Sequence, residues 1–196
     1  MYRSWQELYQ EHGLDLPMEI WADVIGRGHE FDPLAHLEAR IGRKLDASIA
    51  ERRRARRTEL VEALETLPGV MECVREARQL GLKLGVASSS SRAWVTGHLD
   101  RLGLTDFDCI RCADDVEQAK PAPDLYLAVC GCLGVRATEA LAFEDSANGI
   151  AAAKAAGLRC VAVPNTMTAN LDLSAADVRL ESLAEIPLRR LLEKLA

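Results

Sequence analysis

Apolar residues in the first third of the chain recur at helical spacing. Trp5, Leu8, Tyr9 and His12 fall at i, i+3, i+4 and i+7, and Gly13 follows as a stop. Pro17 suits the first position of a second helix carrying Ile20, Trp21, Val24 and Ile25, and Asp32-Pro33 opens a third with Leu34, Leu37 and Ile41. Asp46 begins a fourth, which runs through the arginines between positions 52 and 57 to Leu64. No alternation of period two occurs before Leu82, so residues 1–66 read as a small bundle of four helices.

From Pro68-Gly69 the pattern changes. A helix bearing Val70, Val74, Ala77 and Leu80 leads into the apolar run 82–87, which ends in Ser88-Ser89-Ser90-Ser91. A helix with Val95, His98, Leu99 and Leu102 follows, then a strand over 107–110 and a helix opened by Pro123. Next come a strand over 140–143, a helix closed at Gly157, a strand over 160–163 and a last helix with Leu188, Leu191, Leu192 and Leu195. Strands alternating with helices predict an α/β fold over 67–196, with a mostly parallel, doubly wound sheet.

Charge and composition narrow the partners. Thirty Asp and Glu against 24 Lys and Arg leave a net charge of -6, a poor electrostatic footprint for nucleic acid. No apolar run reaches the length of a membrane span, and the opening Met1-Tyr2-Arg3-Ser4-Trp5 lacks a signal-peptide core. The expectation is a soluble, cytoplasmic protein acting on small molecules, as a monomer or weak homodimer, with no nucleic-acid or membrane partner. Cys109-x-x-Cys112 and Cys130-x-Cys132 imitate the halves of a zinc knuckle. Residues three apart on a strand point to opposite faces, and residues two apart on a helix diverge by about 200°. Buried, reduced thiols are therefore expected instead.

In open α/β sheets ligands bind beyond the carboxyl ends of the strands, which directs attention to the residues after each apolar run. The serines 88–91 can hold a phosphate oxygen with a hydroxyl and the N–H groups of the following helix, or can be a simple N-cap and turn. Lys120-Pro121-Ala122-Pro123 sets one lysine in a stiff loop, suited to neutralising a phosphoryl group; a solvated surface lysine is the competing reading. Glu144-Asp145 places adjacent acids directly after an apolar strand, suited to Mg²⁺ or to capping the next helix. Gly26-Arg27-Gly28-His29 joins two of the N-terminal helices, and Arg27 and His29 are candidates for contacting a substrate. The arginines at 52–57 read as a solvated helix face balanced by Glu51, Glu59 and Glu62.

Together these segments resemble the motifs of the haloacid dehalogenase (HAD) superfamily, in the branch similar to β-phosphoglucomutase and its related small-metabolite phosphatases. Leu84-Gly85-Val86-Ala87-Ser88-Ser89-Ser90 is similar to that branch's second motif. Asp114-Asp115-Val116 through Lys120-Pro121-Ala122-Pro123-Asp124 resembles the third, and Phe143-Glu144-Asp145-Ser146-Ala147-Asn148-Gly149 the fourth. The resemblance implies a helical cap over residues 1–66 and a catalytic core over 67–196. It further implies that Ser88, with Ser89, and Lys120 bind the transferring phosphoryl group and that Asp145 and Glu144 hold Mg²⁺. The implied reaction is phosphoryl transfer from a sugar-phosphate-like metabolite through an aspartyl-phosphate.

The chain departs from the family pattern in one respect. The nucleophilic Asp-x-Asp-Gly after an apolar strand, which precedes the cap in the family, is not found, and Met1 falls inside what resembles the first cap helix. Asp106-Phe107-Asp108 precedes a strand instead of ending one, and Asp114-Asp115 matches the third-motif loop. The expectation is a chain without the central strand, with two sheet halves meeting across a gap and little turnover of its own. Two alternatives stay open beside hydrolysis: a phosphomutase of the same family, and a non-catalytic phosphate- or partner-binding protein. A serine hydrolase built on the serine cluster and His98 lacks the G-x-S-x-G elbow.

Overall fold

The computed structural model describes residues 2–18, 20–21 and 31–195, which form two compact units. One lies within residues 2–65 and is helical: α1 (Tyr2–Glu11), α2 (Pro33–Ile41) and α3 (Ala47–Glu62). Asp32 caps α2 by accepting from the N–H groups of Leu34 and Ala35, and Asp46 caps α3 by accepting from Ser48. Such caps are each worth about 1 kcal/mol. Of the helix expected after Pro17, positions 18, 20 and 21 are helical, and the remainder lies outside the described residues. Tyr9 is fully buried, its hydroxyl bonded to Pro33 O at 2.8 Å and to His36 Nδ1 at 2.7 Å.

The arginine run has partners beyond those the sequence offered. Arg52 reaches Glu11 at 2.5 Å and Arg56 reaches Glu7 at 2.9 Å, both on α1, while the Arg53 guanidinium lies 4.0 Å from the centre of the Trp5 ring. No residue of α3 is fully buried, and its contacts with α1 include these ion pairs and the Arg53–Trp5 contact.

The second unit holds the α/β elements: α4 (Val70–Gln79), β1 (Gly85–Ala87), α5 (Arg92–Arg101), β2 (Cys109–Arg111), α6 (Asp124–Leu133), β3 (Leu141–Glu144), α7 (Ala147–Ala155), β4 (Arg159–Ala162), β5 (Val178–Arg179) and α8 (Leu188–Leu195). All strand pairs are parallel, and among the described residues they form two sheets, β1-β2 and β3-β4-β5. Gly85 pairs with Cys109 and Ala87 with Arg111 in the first; Leu141 pairs with Arg159 and Glu144 with Ala162 in the second. The two-residue β5 has no strand signal in the sequence, being too short to show alternation.

Alternation along β3 and β4 divides their side chains between two layers. Ala142, Cys160 and Ala162 pack with Tyr126 and Cys130 of α6 and Ile150, Ala152 and Ala153 of α7. Leu141, Phe143 and Val161 pack with Leu191 and Leu195 of α8 on the other face. Helix α6 lies against β1 and β2, close enough that a Cβ on Gly85 would run into Val129 and Leu133. Cys109 and Cys132 are joined in a disulfide, which corrects the expectation of reduced thiols throughout. The divergence of neighbours two apart on α6 buries Cys130 in the core and turns Cys132 toward β2. Cys73, Cys112, Cys130 and Cys160 are free.

Candidate active site

The site is built where the strands of both sheets end. Ala87, the last residue of β1, offers its carbonyl to Lys120, whose Nζ donates to it at 3.0 Å. The same ammonium pairs with Glu144 Oε1, at the end of β3, lies 3.4 Å from the Tyr126 hydroxyl and sits 4.8 Å from the centre of the Tyr126 ring. Lys120 and Glu144 are each only 8% exposed, which removes the reading of Lys120 as a solvated surface lysine. Pro121 and Pro123 stiffen the approach to α6, so the helix start and the lysine are fixed together.

Glu144 is a shared acceptor. Tyr126 Oη donates to Oε1, and Ser146 Oγ lies 3.5 Å from Oε2. Burial, and then the Glu144 charge, push the Tyr126 phenol well above its ordinary range, so it remains a donor. Ser146 is the N-cap of α7, its Oγ accepting from Gly149 N at 3.1 Å. Gly149 is required by space, because a Cβ there would overlap the Glu144 carboxylate.

Asp145 takes a different direction. Its Oδ2 accepts from Asn165 Nδ2 at 2.7 Å, and Asn165 is itself fixed by Met167 N on Oδ1 at 2.8 Å and by its own N–H to the buried Thr168 Oγ1 at 3.0 Å. Burial, and then the neighbouring Glu144 charge, raise the Asp145 carboxyl above the usual carboxylate range. The two acids are therefore not presented as one pair of ligands: Glu144 faces an ammonium and a phenol, while Asp145 faces a neutral amide. A half-buried carboxylate left with a neutral partner fits a hard cation such as Mg²⁺ better than does the lysine-paired Glu144.

The serine segment lies one residue beyond the lysine's contact on Ala87. Ser88 N donates to Arg111 O at 2.9 Å, and Ser88 Oγ accepts from Ser90 N at 3.2 Å, which leaves its hydroxyl proton to donate elsewhere. Ser89 Oγ is buried and has no hydrogen-bond partner. The N–H groups of α5 were expected to serve an anion, but Arg92 N is taken by Asp114 Oδ2 at 2.6 Å. Asp108 lies at the other end of the strands, its Oδ2 accepting from Leu84 N and Arg78 Nη1, each at 2.7 Å. Arg27 and His29 lie outside the described residues.

The structure thus brings Lys120 and Glu144 into contact, adjoins them to Ser88 through Ala87 and to Asp145 through the chain, and buries the Ser89 hydroxyl. Sequence reasoning missed Tyr126, Asn165 and Arg92. Tyr126 reads as one more core aromatic on a helix. Asn165 was open to discovery, since it follows β4 at the carboxyl edge where ligands are met.

The chain resembles known proteins along nearly its whole length. Residues 3–157 match the haloacid dehalogenase-like hydrolases, and the chain belongs to that family, in its phosphatase branch. It is 47% identical over 196 residues, covering 99% of this chain and 89% of the relative, to the Bacillus subtilis protein named "Putative phosphatase YhcW". It is 33% identical over 184 residues to validoxylamine A 7'-phosphate phosphatase of Streptomyces hygroscopicus subsp. limoneus, covering 93% of this chain and 86% of that protein. Among solved structures, a variant of CbbY from Rhodobacter sphaeroides in complex with xylulose-(1,5)bisphosphate superposes with a TM-score of 0.71 at 29% identity, over 94% of this chain and 87% of that one.

Proposed function

We propose that the chain carries the phosphate and metal half of a Mg²⁺-dependent phosphatase site for a small phosphorylated metabolite of sugar-phosphate type. The observation that carries this reading is the buried Lys120 ammonium, bonded both to the last carbonyl of β1, next to Ser88, and to Glu144 at the end of β3, next to Asp145. Ser88 would donate to a phosphoryl oxygen, and Lys120 would offset its charge while Glu144 and Tyr126 fix the ammonium in place. Asp145 would hold Mg²⁺, which when bound neutralises charge on the transferring group. The acceptor in this reading is an aspartate carried by a further strand between β1 and β3, whose carboxyl ends Lys120 already spans. Attack of that carboxylate on phosphorus would form the aspartyl-phosphate and release the alcohol, and water would then return the carboxylate and free phosphate.

Residues 1–66 are the substrate-selecting cap in this reading and 67–196 the core, with Arg27 and His29 as the cap's candidate contacts. The named relatives support the substrate class: one is called a phosphatase of validoxylamine A 7'-phosphate, and the CbbY structure holds a pentulose bisphosphate. Phosphate in Mg²⁺ buffer should raise the thermal midpoint of the chain by mass action, and Ser88→Ala and Lys120→Ala should each abolish that rise. A folded Lys120→Ala protein with the wild-type rise would overturn the assignment. Mg²⁺ should add to the rise that phosphate alone gives, and loss of that addition in Asp145→Asn is the second readout.

A further inference from the structure

The loop that carries Ser88 draws most of its order from elsewhere. Ser91 stands at the N-cap of α5, yet its side chain makes no capping bond. The carboxylate of Asp114, from the turn after β2, caps the helix instead by accepting from Arg92 N at 2.6 Å. The Arg92 side chain runs in the opposite sense, Nη2 donating to both Asp115 oxygens at 2.7 Å and to Ile110 O at 3.2 Å. Asp115 also accepts from the N–H of the buried Cys112 at 2.7 Å. Backbone bonds lie on either side of this clasp, Ser88 N to Arg111 O at 2.9 Å and Ala113 N to Ser90 O at 3.1 Å. One arginine thus has its backbone held by one aspartate while its side chain holds the next.

Two carboxylates beside a loop meant for an anion would weaken that anion's binding unless they contributed something else. Charge-assisted bonds of this kind are the strong ones, and a loop ordered before the ligand arrives loses less freedom on binding it. Resting on the reading of Ser88 as a phosphate group, we infer that Arg92 and Asp115, with Asp114, are positioning residues that hold the Ser88–Ser91 loop in its anion-binding shape. Their chemistry separates this role from simple long-range charge. If only the field mattered, Arg92→Ala would weaken phosphate binding and Asp115→Asn would tighten it. If shape matters, both changes weaken it, and the double variant loses little more than either one, because each alone has already opened the clasp.

The experiment is calorimetric titration of inorganic phosphate into the full chain in Mg²⁺ buffer, with a urea midpoint for each variant. Arg92→Ala and Asp115→Asn should each raise the dissociation constant by about tenfold, with the double variant within about threefold of the singles. Arg92→Lys keeps the charge in a protein closest to wild type, and it should bind phosphate more weakly than wild type by a similar factor. Asp115→Asn or Arg92→Lys, folded by its urea transition and binding phosphate as tightly as wild type or more so, overturns the inference. If wild type fails to bind phosphate, or Ser88→Ala binds it unchanged, the phosphate reading fails and takes this inference with it. If Ser88→Ala abolishes binding while the clasp variants do not weaken it, only the positioning role falls.

Discussion

Lys120 and Glu144 form a buried pair that ties the loop before α6 to the end of β3, while the same ammonium holds the last carbonyl of β1. Neither strand is hydrogen-bonded to the other through its backbone among the described residues, so this side-chain bridge is a join between the two sheets. Breaking a buried pair by removing one member leaves the other charge uncompensated.

Lys120→Met and Glu144→Gln should each cost about 3–5 kcal/mol of stability, whereas the double variant should cost less than the sum of the two. Urea unfolding of the four proteins checks this. Additive losses would show that the two residues act independently.

Gly149→Ala should destabilise the protein even though alanine is the better helix former by about 1 kcal/mol. The added methyl group must displace the Glu144 carboxylate, and with it the bonds from Lys120 and Tyr126. The exposed Ala151→Gly, on the same helix, is the control for propensity alone. A Gly149→Ala protein more stable than wild type would contradict the crowding.

Thiol titration in denaturant should count four reactive groups, Cys73, Cys112, Cys130 and Cys160, and six after reduction. In the folded protein Cys73, which is not buried, should react first, while Cys160 should resist alkylation at alkaline pH, since burial pushes its thiol up to about 12. Six thiols without reductant would show the Cys109–Cys132 bond to be absent in solution.

Stability should fall on the acid side. Asp177 accepts from Lys154 at 2.7 and 2.8 Å and from Cys160 N at 2.7 Å, and the lysine first, then that N–H, hold its carboxyl below the usual range. Asp108 is lowered in the same way, by Leu84 N first and Arg78 next. A carboxyl depressed in the folded state stabilises above its unfolded value, and that contribution is lost as pH falls toward the folded one. The urea midpoint should therefore be level from about pH 7 to 5 and drop below about pH 4. Asp177→Asn should drop less steeply over the same interval, and an acid limb of unchanged slope would refute its part in the effect.

Much of this architecture was legible in the chain. Asp32 and Asp46 announce their helices because a carboxylate before an apolar period has one local use, and the α/β order follows from the periods alone. The residues at strand ends were found by rule, so Ser88, Lys120, Glu144 and Asp145 could be named before their geometry was known. What escaped depends on contacts between distant segments. The pairing of Glu144 with Lys120, 24 residues away, gives an expected metal ligand a buried counter-charge, and no local pattern encodes that contact. The disulfide escaped for the same reason, since spacing within each cysteine pair says nothing about a partner on another element.

That disulfide also changes the chain's connectivity. Cys109 and Cys132 are 23 positions apart, and Lys120, both of its neighbouring prolines and Tyr126 lie between them, so the segment supplying the ammonium and the phenol is part of a closed covalent ring. A protease that cuts once inside the ring leaves the two fragments linked, and they separate on a gel only after reduction. The nicked molecule therefore keeps Lys120 and Tyr126 attached whichever fragment carries them, which makes this stretch a place where the backbone can be opened without releasing either piece.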